Sequence, residues 1–480
     1  MVFTSATFLL FLAIIFGLYW SLPSRRSQNI LLIVAGYAFY SWWDYRYCSL
    51  MILSTIVDYF CGLGVASSNA STKKRYLSLS LISNLGMLGI FKYFNFFQDS
   101  FIQAFSGFGF EISPWTLRVA LPIGISFYTF QTLSYTIDIY RGKLQPHRSF
   151  IDYAAYVCFF PQLVAGPIER AASLLPQFAN DRRFDPLAAR EGLRQMVWGF
   201  FKKMVLADRL ALVVNEIYAN PSAFDSSYLW LAALGFGFQI YCDFSAYSDI
   251  AIGCAKLFGF KLTRNFATPY FSQDFVEFWR RWHISLSTWF RDYVYIPLGG
   301  SRVSGARQSV NIMIVFAVSG LWHGAGWNFV TWGVIHGFVV VASSRFRSQS
   351  LTVRDTPLGE TISPTIFMAI VRCTIVILVS AIAWVFFRIQ SPGEAWSIIG
   401  RMFWFERFEC SLDSAPTLMI LTRIFPIFLA IEFVTRHLQH PLQRIVGWPK
   451  PLRWLIYAGF IWGTMYYMPN ETGEFVYFQF

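Results

Sequence analysis

GLWHGAGWNFVTWGVIHG, residues 320–337, places His323 at a glycine-rich break between two apolar runs, IMIVFAVSGLW before it and WNFVTWGVIHGFVVVA after it. The two runs predict membrane-embedded helices. An ionisable side chain between such helices is costly, and it indicates either a function or a buried partner. His323 is therefore the first candidate functional residue of the chain.

The composition predicts an all-α polytopic membrane protein. Of 480 residues, 55% are hydrophobic, 19% are aromatic and 14% are charged, and the mean hydropathy is +0.45. Many apolar runs reach the length that a bilayer-spanning helix needs, which predicts about twelve spans. Examples of these runs are 48–66, 228–258, 365–387 and 416–434. Re-entrant or interfacial helices are expected as well, as at 151–170, where Pro161 interrupts an apolar run. One domain, 1–480, would comprise N-terminal spans (1–150), a core (151–345) and C-terminal spans (346–480).

The distribution of charge predicts the orientation of the chain. The 39 Lys and Arg residues exceed the 27 Asp and Glu residues by 12. The basic residues are concentrated in short loops between apolar runs, as the positive-inside bias requires, so the excess indicates topology and not nucleic-acid binding. Arg25 and Arg26 follow a first apolar run that lacks a basic n-region and a cleavage site. We therefore predict a retained first span with the N-terminus outside.

The segment 271–300, FSQDFVEFWRRWHISLSTWFRDYVYIPLGG, is too charged to cross a membrane and too aromatic to be a free loop. On one helix it would carry Trp279, His283, Ser287 and Phe290 along a single stripe. We predict an amphipathic element that packs into the bundle from the cytoplasmic side.

His323 has two interpretations. Burial favours the neutral imidazole, whose lone pair can accept a proton from a hydroxyl, and such general-base catalysis contributes about 10²- to 10⁴-fold in rate. Gly320, Gly324 and Gly326 would let the backbone or a substrate approach closely. The alternative is a histidine that hydrogen-bonds a neighbouring helix as part of the packing. Position and glycine context leave both interpretations open.

Two further histidines lie in or beside apolar segments. His283 can sit at the level of the lipid headgroups or belong to a site. His336 follows His323 by 336 − 323 = 13 residues, which on a continuous helix is roughly 200° or more around the axis. That spacing argues against one shared ligand set. The seven cysteines include no CxxC pair and no Cys/His cluster at zinc spacing, so we predict no disulfide framework and no metal site.

Three arginines in the amphipathic segment, Arg280, Arg281 and Arg291, are suited to a phosphate-bearing donor because guanidinium groups make forked hydrogen bonds. Equally, they fit the positive-inside bias, with Glu277 paired to Arg281 at i, i+4 spacing.

Two acidic residues, Asp243 and Asp249, fall within the apolar stretch QIYCDFSAYSDIAIG, residues 239–253. They indicate either a proton or ion pathway or a buried pairing with Arg or Tyr. No P-loop, GxSxG or HExxH motif occurs, so the sequence gives no support for ATP-driven transport or for the common hydrolases and zinc proteases.

Two long motifs, WRRWHISLSTWFRDYVYIPLGG (279–300) and SGLWHGAGWNFVTWGVIHG (319–337), closely resemble the membrane-bound O-acyltransferase family, in particular its alginate O-acetylation branch. Other stretches similar to that branch are PIGISFYTFQTLSYTIDIYRG, FFPQLVAGPIER, FQIYCDFSAYSDIAIG, NFATPYFSQDFVEFW, AWVFFR and EFVYFQF. The resemblance therefore covers essentially the whole chain.

The resemblance implies a multi-helix membrane fold with a central tunnel in which two polar residues meet. The near-invariant histidine of the family falls on His323, and its second active-site residue falls on His283; neither assignment follows from spacing. The further candidates to line the donor site or the tunnel are Trp279, Arg280, Arg281, Trp282, Arg291, Asp292, Tyr293, Trp322, Asn328, His336, Gln239 and Asp243.

The activity that the resemblance implies is transfer of an acetyl group from a cytoplasmic thioester, expected to be acetyl-CoA, across the bacterial inner membrane for O-acetylation of an exported polysaccharide such as alginate. Acetyl-CoA would be a substrate, and no bound cofactor is expected. The implied partners are membrane lipid, a periplasmic esterase-like (SGNH-type) acetyltransferase and a polysaccharide synthase complex. Two alternatives remain: a transporter of acyl groups or polymer that does no chemistry, and acyl transfer to a lipid, a protein or a teichoic acid.

Overall fold

The computed structural model describes residues 1–67, 69–110, 112–113, 122, 124–352, 366–404, 412–468 and 475–476. Every regular element within these ranges is helical, which confirms the all-α prediction. The α-helices in chain order are α1 (Ala6–Ser21), α2 (Arg25–Ser41), α3 (Cys48–Ser67), α4 (Ala70–Leu88), α5 (Phe94–Ser106), α6 (Ile125–Tyr140), α7 (Phe150–Val157), α8 (Ala171–Ala179), α9 (Pro186–Phe201), α10 (Asp208–Ala219), α11 (Ser226–Leu257), α12 (Phe275–Arg281), α13 (Ile284–Phe290), α14 (Gly305–His323), α15 (Trp327–Thr352), α16 (Ile366–Arg388), α17 (Pro392–Phe403), α18 (Ala415–Val434) and α19 (Lys450–Tyr467). Short 3₁₀ helices cover Tyr45–Tyr47, Pro221–Ala223, Pro269–Phe271 and Pro441–Gln443, and π-helical turns cover Gly89–Tyr93, Lys202–Ala207 and Arg291–Tyr295.

The chain forms two compact units. The first comprises Met1–Met196 and Ile250–Thr263, and the second comprises Val197–Asp249 and Arg264–Phe480. Within the first unit, α3, α4 and α6 pack against one another, and α2 packs against α7. Within the second, α14 pairs with α15, and α16 packs on α15. All three candidate histidines belong to the second unit.

Five helical segments in the described part of the chain are long and apolar enough to cross a membrane: Tyr45–Ala66, Ala70–Ser106, Trp327–Phe346, Ile366–Arg388 and Ala415–Val434. Three of them coincide with the runs predicted near 48–66, 365–387 and 416–434, and α1 is a shorter apolar helix. The chain is therefore a membrane protein. The predicted span near 228–258 corresponds to one uninterrupted helix, α11, which carries two carboxylates.

The apolar segment 151–170 is interrupted as predicted. Helix α7 ends at Val157, and the chain continues through turns that contain Pro161. Because proline lacks an N–H and clashes with the preceding turn, α7 cannot extend through it.

The amphipathic segment 271–300 does not form one continuous helix. Helix α12 ends at Arg281 and α13 begins at Ile284, with His283 between them in the left-handed conformation (φ 43°, ψ 55°). A residue in this conformation cannot continue a right-handed helix. The stripe predicted for a continuous helix is therefore broken at the histidine.

Side-chain hydrogen bonds define the first residue of α12. Asp274 caps the helix by accepting the Glu277 N–H at 2.7 Å, and Glu277 Oε2 accepts the N–H of Gln273, the residue before the cap, at 2.9 Å, an arrangement similar to a capping box. Glu277 also pairs with Arg281 at 2.6 Å, as the i, i+4 spacing predicts. The beginning of this short helix is thus fixed by its own side chains.

The helices α14 and α15 form a closely packed hairpin around the glycine-rich break. A Cβ added to Gly320 would lie 2.2 Å from the Phe329 carbonyl oxygen, and one added to Gly333 would lie 2.2 Å from the Phe316 carbonyl oxygen. The two backbones approach this closely only because both positions are glycine. The glycines therefore set the distance between the helix that carries His323 and the helix that carries His336.

We expect Gly333→Ala to force α14 and α15 apart and to lower stability by about 1–3 kcal/mol, the range for overpacking a filled interior. The apparent Tm of the detergent-solubilised protein measures the effect. Gly459→Ala in α19 is the matched control, because no atom lies within 4 Å of a Cβ there, and alanine there should leave Tm unchanged or raise it slightly. Equal Tm values for the two variants would contradict the close approach.

Candidate active site

His323 is the last residue of α14, and Gly324 caps the helix after it. Its side chain is buried, and its ring contacts Trp322 at 4.9 Å, Trp332 at 5.0 Å and Phe387 at 5.4 Å between ring centroids. The break that the glycines predict thus puts the imidazole at the end of a helix among aromatic rings on three elements.

His336 lies on α15 and is fully buried among aromatic side chains. Its ring is 4.9 Å from Trp332 and 5.1 Å from Trp279, and it stacks on Phe278 at 6.3 Å with an interplanar angle of 8°. Within the described residues neither of its ring nitrogens has a hydrogen-bond partner. Because the chain reverses between α14 and α15, the angular argument for a continuous helix does not apply, and Trp332 contacts both His323 and His336.

His283 lies at the junction of α12 and α13, and its side chain has no exposed surface. Its Nδ1 is 3.1 Å from Asn265 Oδ1, and its ring contacts Phe244 at 4.6 Å and Trp322 at 6.2 Å between centroids. Burial lowers the pKa of His283 to about 3, so the imidazole is neutral at pH 7. His283 is thus buried inside the protein and does not face lipid headgroups.

Two tryptophans connect the three histidines. Trp322 contacts both His283 and His323, and Trp332 contacts both His323 and His336. The structure therefore gathers the imidazoles into one aromatic cluster, in which each histidine is separated from the next by an indole. A neutral imidazole in such surroundings is suited to accept a proton from a hydroxyl brought next to it.

A cavity of about 360 Å³ adjoins this cluster. Its wall is mostly apolar and includes Trp279, Phe290 and Phe316, and Arg280 and Arg291 contribute the charged part. Ser319 in the wall precedes His323 by one helical turn, and Trp279 contacts His336. The cavity thus combines an apolar interior with two guanidinium groups, and its wall reaches the histidine cluster through Trp279.

Five other candidates make local contacts, and for Arg281, Asp292 and Tyr293 these contacts lie within the segment that follows α12 or within α12 itself. Trp282 is buried and lies 5.1 Å from Trp384, and Asn328 donates to the Phe386 carbonyl at 3.1 Å. Asp292 accepts from Arg291 Nε at 2.7 Å. Tyr293 packs on Trp289 at 4.9 Å between centroids, and Arg281 pairs with Glu277 as described above.

The buried carboxylates of α11 are paired with lysines. Lys203 Nζ lies 2.8 Å from both Asp243 and Asp208, and Lys202 Nζ lies 2.7 Å from Asp249. The sequence left a buried pairing with Arg or Tyr open, and the partner residue type differs because the π-helical turn at 202–207 brings both lysines inside. Gln239, one turn before Asp243, is also buried. Asp243 therefore belongs to a buried ion group around Lys203, whereas Gln239 is placed near it only by its position on α11.

Sequence reasoning missed the roles of Lys202, Lys203 and Asn265. The two lysines interrupt the apolar run GFFKKMVLA. Unpaired cations there would be as costly to bury as the carboxylates of α11. Pairing the buried lysines with the buried carboxylates would therefore have suggested these salt bridges. No feature of the sequence indicated that Asn265 contacts His283. Within the described residues no group of three His, Cys, Asp or Glu side chains could hold a metal ion.

Comparison with known proteins gives one family. Residues 34–387 match the membrane-bound O-acyltransferase family, a range that contains the three histidines, Trp332 and the cavity.

Curated relatives agree with this match. The chain is 40% identical over 459 residues to a probable alginate O-acetylase of Azotobacter vinelandii, covering 94% of this chain and 88% of that protein. It is 42% identical over 417 residues to a probable alginate O-acetylase of Pseudomonas syringae, covering 86% and 77%. It is 35% identical over 402 residues to a peptidoglycan O-acetyltransferase of Helicobacter pylori, covering 78% and 73%.

Proposed function

Because the chain belongs to the membrane-bound O-acyltransferase family, we propose that this O-acyltransferase takes an acetyl group from a cytoplasmic thioester, acetyl-CoA, and serves the O-acetylation of an exported polysaccharide such as alginate. The relatives named for alginate and peptidoglycan acetylation support acetyl as the group transferred and a polysaccharide as the final acceptor.

The observation that carries this proposal is the buried histidine cluster beside a cavity with two arginines. His323 acts as the general base. It takes the proton of an acceptor hydroxyl while the hydroxyl oxygen forms the new ester bond, and the C–S bond of the donor breaks to release the thiolate. His283 assists from the other side of Trp322, since it is neutral and buried.

The cavity suits the donor. Arg280 and Arg291 offer forked N–H donors for the phosphate groups of an acyl-CoA, and the apolar wall accommodates its uncharged arm. The other tunnel-lining candidates would then act by packing around this path. In the full bundle we propose about twelve spans around a central tunnel, with the N-terminus periplasmic in the inner membrane.

The acceptor side requires other proteins. We assign the final transfer to a periplasmic esterase-like acetyltransferase that works with a polysaccharide synthase complex. A lipid, protein or teichoic-acid acceptor would use the same His323 chemistry. A transporter without chemistry is less well supported, because Asp243, which it would use as its intramembrane charge, is salt-bridged to Lys203.

The test uses inverted membrane vesicles from cells that carry the whole export system, so that the cytoplasmic face is outside. Radiolabelled acetyl-CoA added to the medium should deliver label to the polymer. Arg280→Ala/Arg291→Ala should raise the KM for acetyl-CoA by about 10-fold or more, because each charge-assisted hydrogen bond contributes about 1.5–3 kcal/mol.

Arg302→Ala is the matched control, since Arg302 is exposed and is not among the residues of the cavity wall. It should leave the KM unchanged. An unaltered KM in the double variant would refute the donor site, and unlabelled polymer in wild-type vesicles would refute acetyl-CoA as the donor.

A further inference from the structure

The side-chain amide of Asn265 lies at the centre of a small buried network next to His283. Asn265 is 1% exposed, and its Oδ1 is 3.1 Å from His283 Nδ1, 2.9 Å from Ser285 Oγ and 3.3 Å from the Ser285 backbone nitrogen. Its Nδ2 donates to Ser248 Oγ on α11 at 3.1 Å. One amide thus joins the histidine to the first turn of α13 and to α11.

The orientation of this amide follows from the chemistry of its neighbours. A backbone N–H can only donate, so the atom of Asn265 that faces the Ser285 N–H must be the oxygen. Turning the amide over would bring an NH₂ group against that N–H, whereas the Ser248 hydroxyl both donates and accepts and would tolerate either orientation. The Ser285 N–H therefore fixes the position of Oδ1.

The fixed oxygen determines which nitrogen of His283 carries the proton. Since Oδ1 can only accept, Nδ1 of His283 must be the donor in the 3.1 Å contact. In a neutral imidazole with Nδ1 protonated, the lone pair is on Nε2. Asn265 thus favours one tautomer of His283.

The backbone holds the same arrangement. The Ile284 N–H donates to the Asn265 carbonyl at 2.9 Å, and the Ala267 N–H donates to the Arg281 carbonyl at 2.9 Å, so the segments on either side of His283 and Asn265 are tied together. These bonds retain the left-handed conformation of His283, which costs a non-glycine residue about 1–3 kcal/mol. Strain of this kind persists where the surrounding contacts require a particular side-chain direction.

We infer that Asn265 is a positioning residue of the active site: it holds His283 in the Nδ1-protonated tautomer and so presents Nε2 to the reacting groups. The inference rests on the proposed function, because it gives His283 a defined role as a hydrogen-bond acceptor beside His323. Asn265 itself touches no substrate and acts through the histidine, as the oriented hydrogen-bond partners of functional imidazoles do.

The first test compares two substitutions of Asn265 in permeabilised vesicles supplied with radiolabelled acetyl-CoA. Asn265→Leu keeps the size of the side chain but removes the acceptor, and it should reduce polymer labelling by about 10- to 100-fold at every pH. Asn265→Asp keeps an acceptor for Nδ1–H and should recover to within about 10-fold of wild type at high pH. Ser248→Ala, which removes the partner of Nδ2 only, should stay within about 3-fold of wild type.

The pH profile separates positioning from packing. In the wild type His283 is neutral throughout pH 5–8, because burial lowers its pKa to about 3. In Asn265→Asp the carboxyl group and the imidazole together bind one more proton at low pH than at high pH. Only when that proton has left does Nδ1–H donate to the carboxylate while Nε2 carries the lone pair. We expect an acid limb for this variant, with labelling lost as the pH falls between 8 and 5 and recovered as the pH rises, whereas the profile of Asn265→Leu follows that of the wild type.

A double-mutant cycle gives the decisive result. If Asn265 acts through His283, Asn265→Leu should add less than about 3-fold to the loss caused by His283→Ala, whereas independent effects would multiply. Multiplying effects, or an Asn265→Asp profile that matches the wild type, would overturn the inference. Full labelling with His283→Ala would instead refute the role of His283 in the proposed function, so the two failures are distinguishable.

Discussion

Replacing His323 with alanine should reduce polymer acetylation by about 10²- to 10⁴-fold, the contribution expected of a general base. The imidazole is buried at the end of α14, where Trp322, Trp332 and Phe387 surround it, and an alanine there offers no group that accepts a proton. The measurement is the acetate content of the exported polymer in cells that carry the variant, with the amount of protein in the membrane determined in parallel.

Two comparisons make the result specific. His323→Gln fills most of the same space but provides no basic nitrogen, so it should be as inactive as alanine. His437→Ala alters an exposed histidine outside the cluster and should leave acetylation unchanged. Normal polymer acetate with His323→Ala, at normal membrane levels, would rule out His323 as the base and would favour the transporter alternative.

Replacing Lys203 with methionine should destabilise the protein by about 3–5 kcal/mol, because it leaves buried carboxylates without their cation. Lys203 Nζ lies 2.8 Å from both Asp208 and Asp243, and all three side chains are buried. Asp243 Oδ2 also accepts the Val476 N–H at 2.7 Å, so the same cluster holds the end of the described chain. We expect a large loss of folded protein, measured as the monodisperse fraction after detergent extraction.

The control removes the charges together. Combining Lys203→Met with Asp208→Asn and Asp243→Asn should recover much of the lost yield, since replacing a whole buried ion group with neutral residues is often tolerated. Recovery would show that the single substitution fails through an uncompensated charge. If Lys203→Met alone folds as well as the wild type, the cluster has no structural role, and the pathway interpretation of Asp243 gains support.

Much of the helical architecture was predictable because the thickness of the bilayer sets the length of the apolar runs that cross it. Helices α16 and α18 fall within one or two residues of the predicted runs, and α11 begins and ends within two residues of its own. The break at His323 was also predictable, since three glycines in seven residues stop a helix. The kink at His283 was not, because its left-handed backbone depends on bonds from the segment around Asn265, which is distant in sequence.

The composition of the site was less predictable than the identity of its histidines. Sequence motifs singled out His283, His323 and His336, but spacing on an imagined continuous helix separated His336 from His323. The hairpin of α14 and α15 places the two histidines closer together than that spacing suggests, with both rings against Trp332. Likewise, the sequence indicated that Asp243 is a buried charge. Identifying its partner Lys203 required the packing of two helices that are not adjacent in the chain.

The tryptophans that separate the histidines also give the site an optical property. Indole emission is sensitive to the charge of an imidazole in contact with it, and Trp322 and Trp332 lie within about 5 Å of His323 on two sides. The chain contains 18 tryptophans, so this signal is a small part of the total. Difference spectra against Trp322→Phe and Trp332→Phe would isolate it, and the fluorescence of this protein would then record the protonation of its own base during turnover.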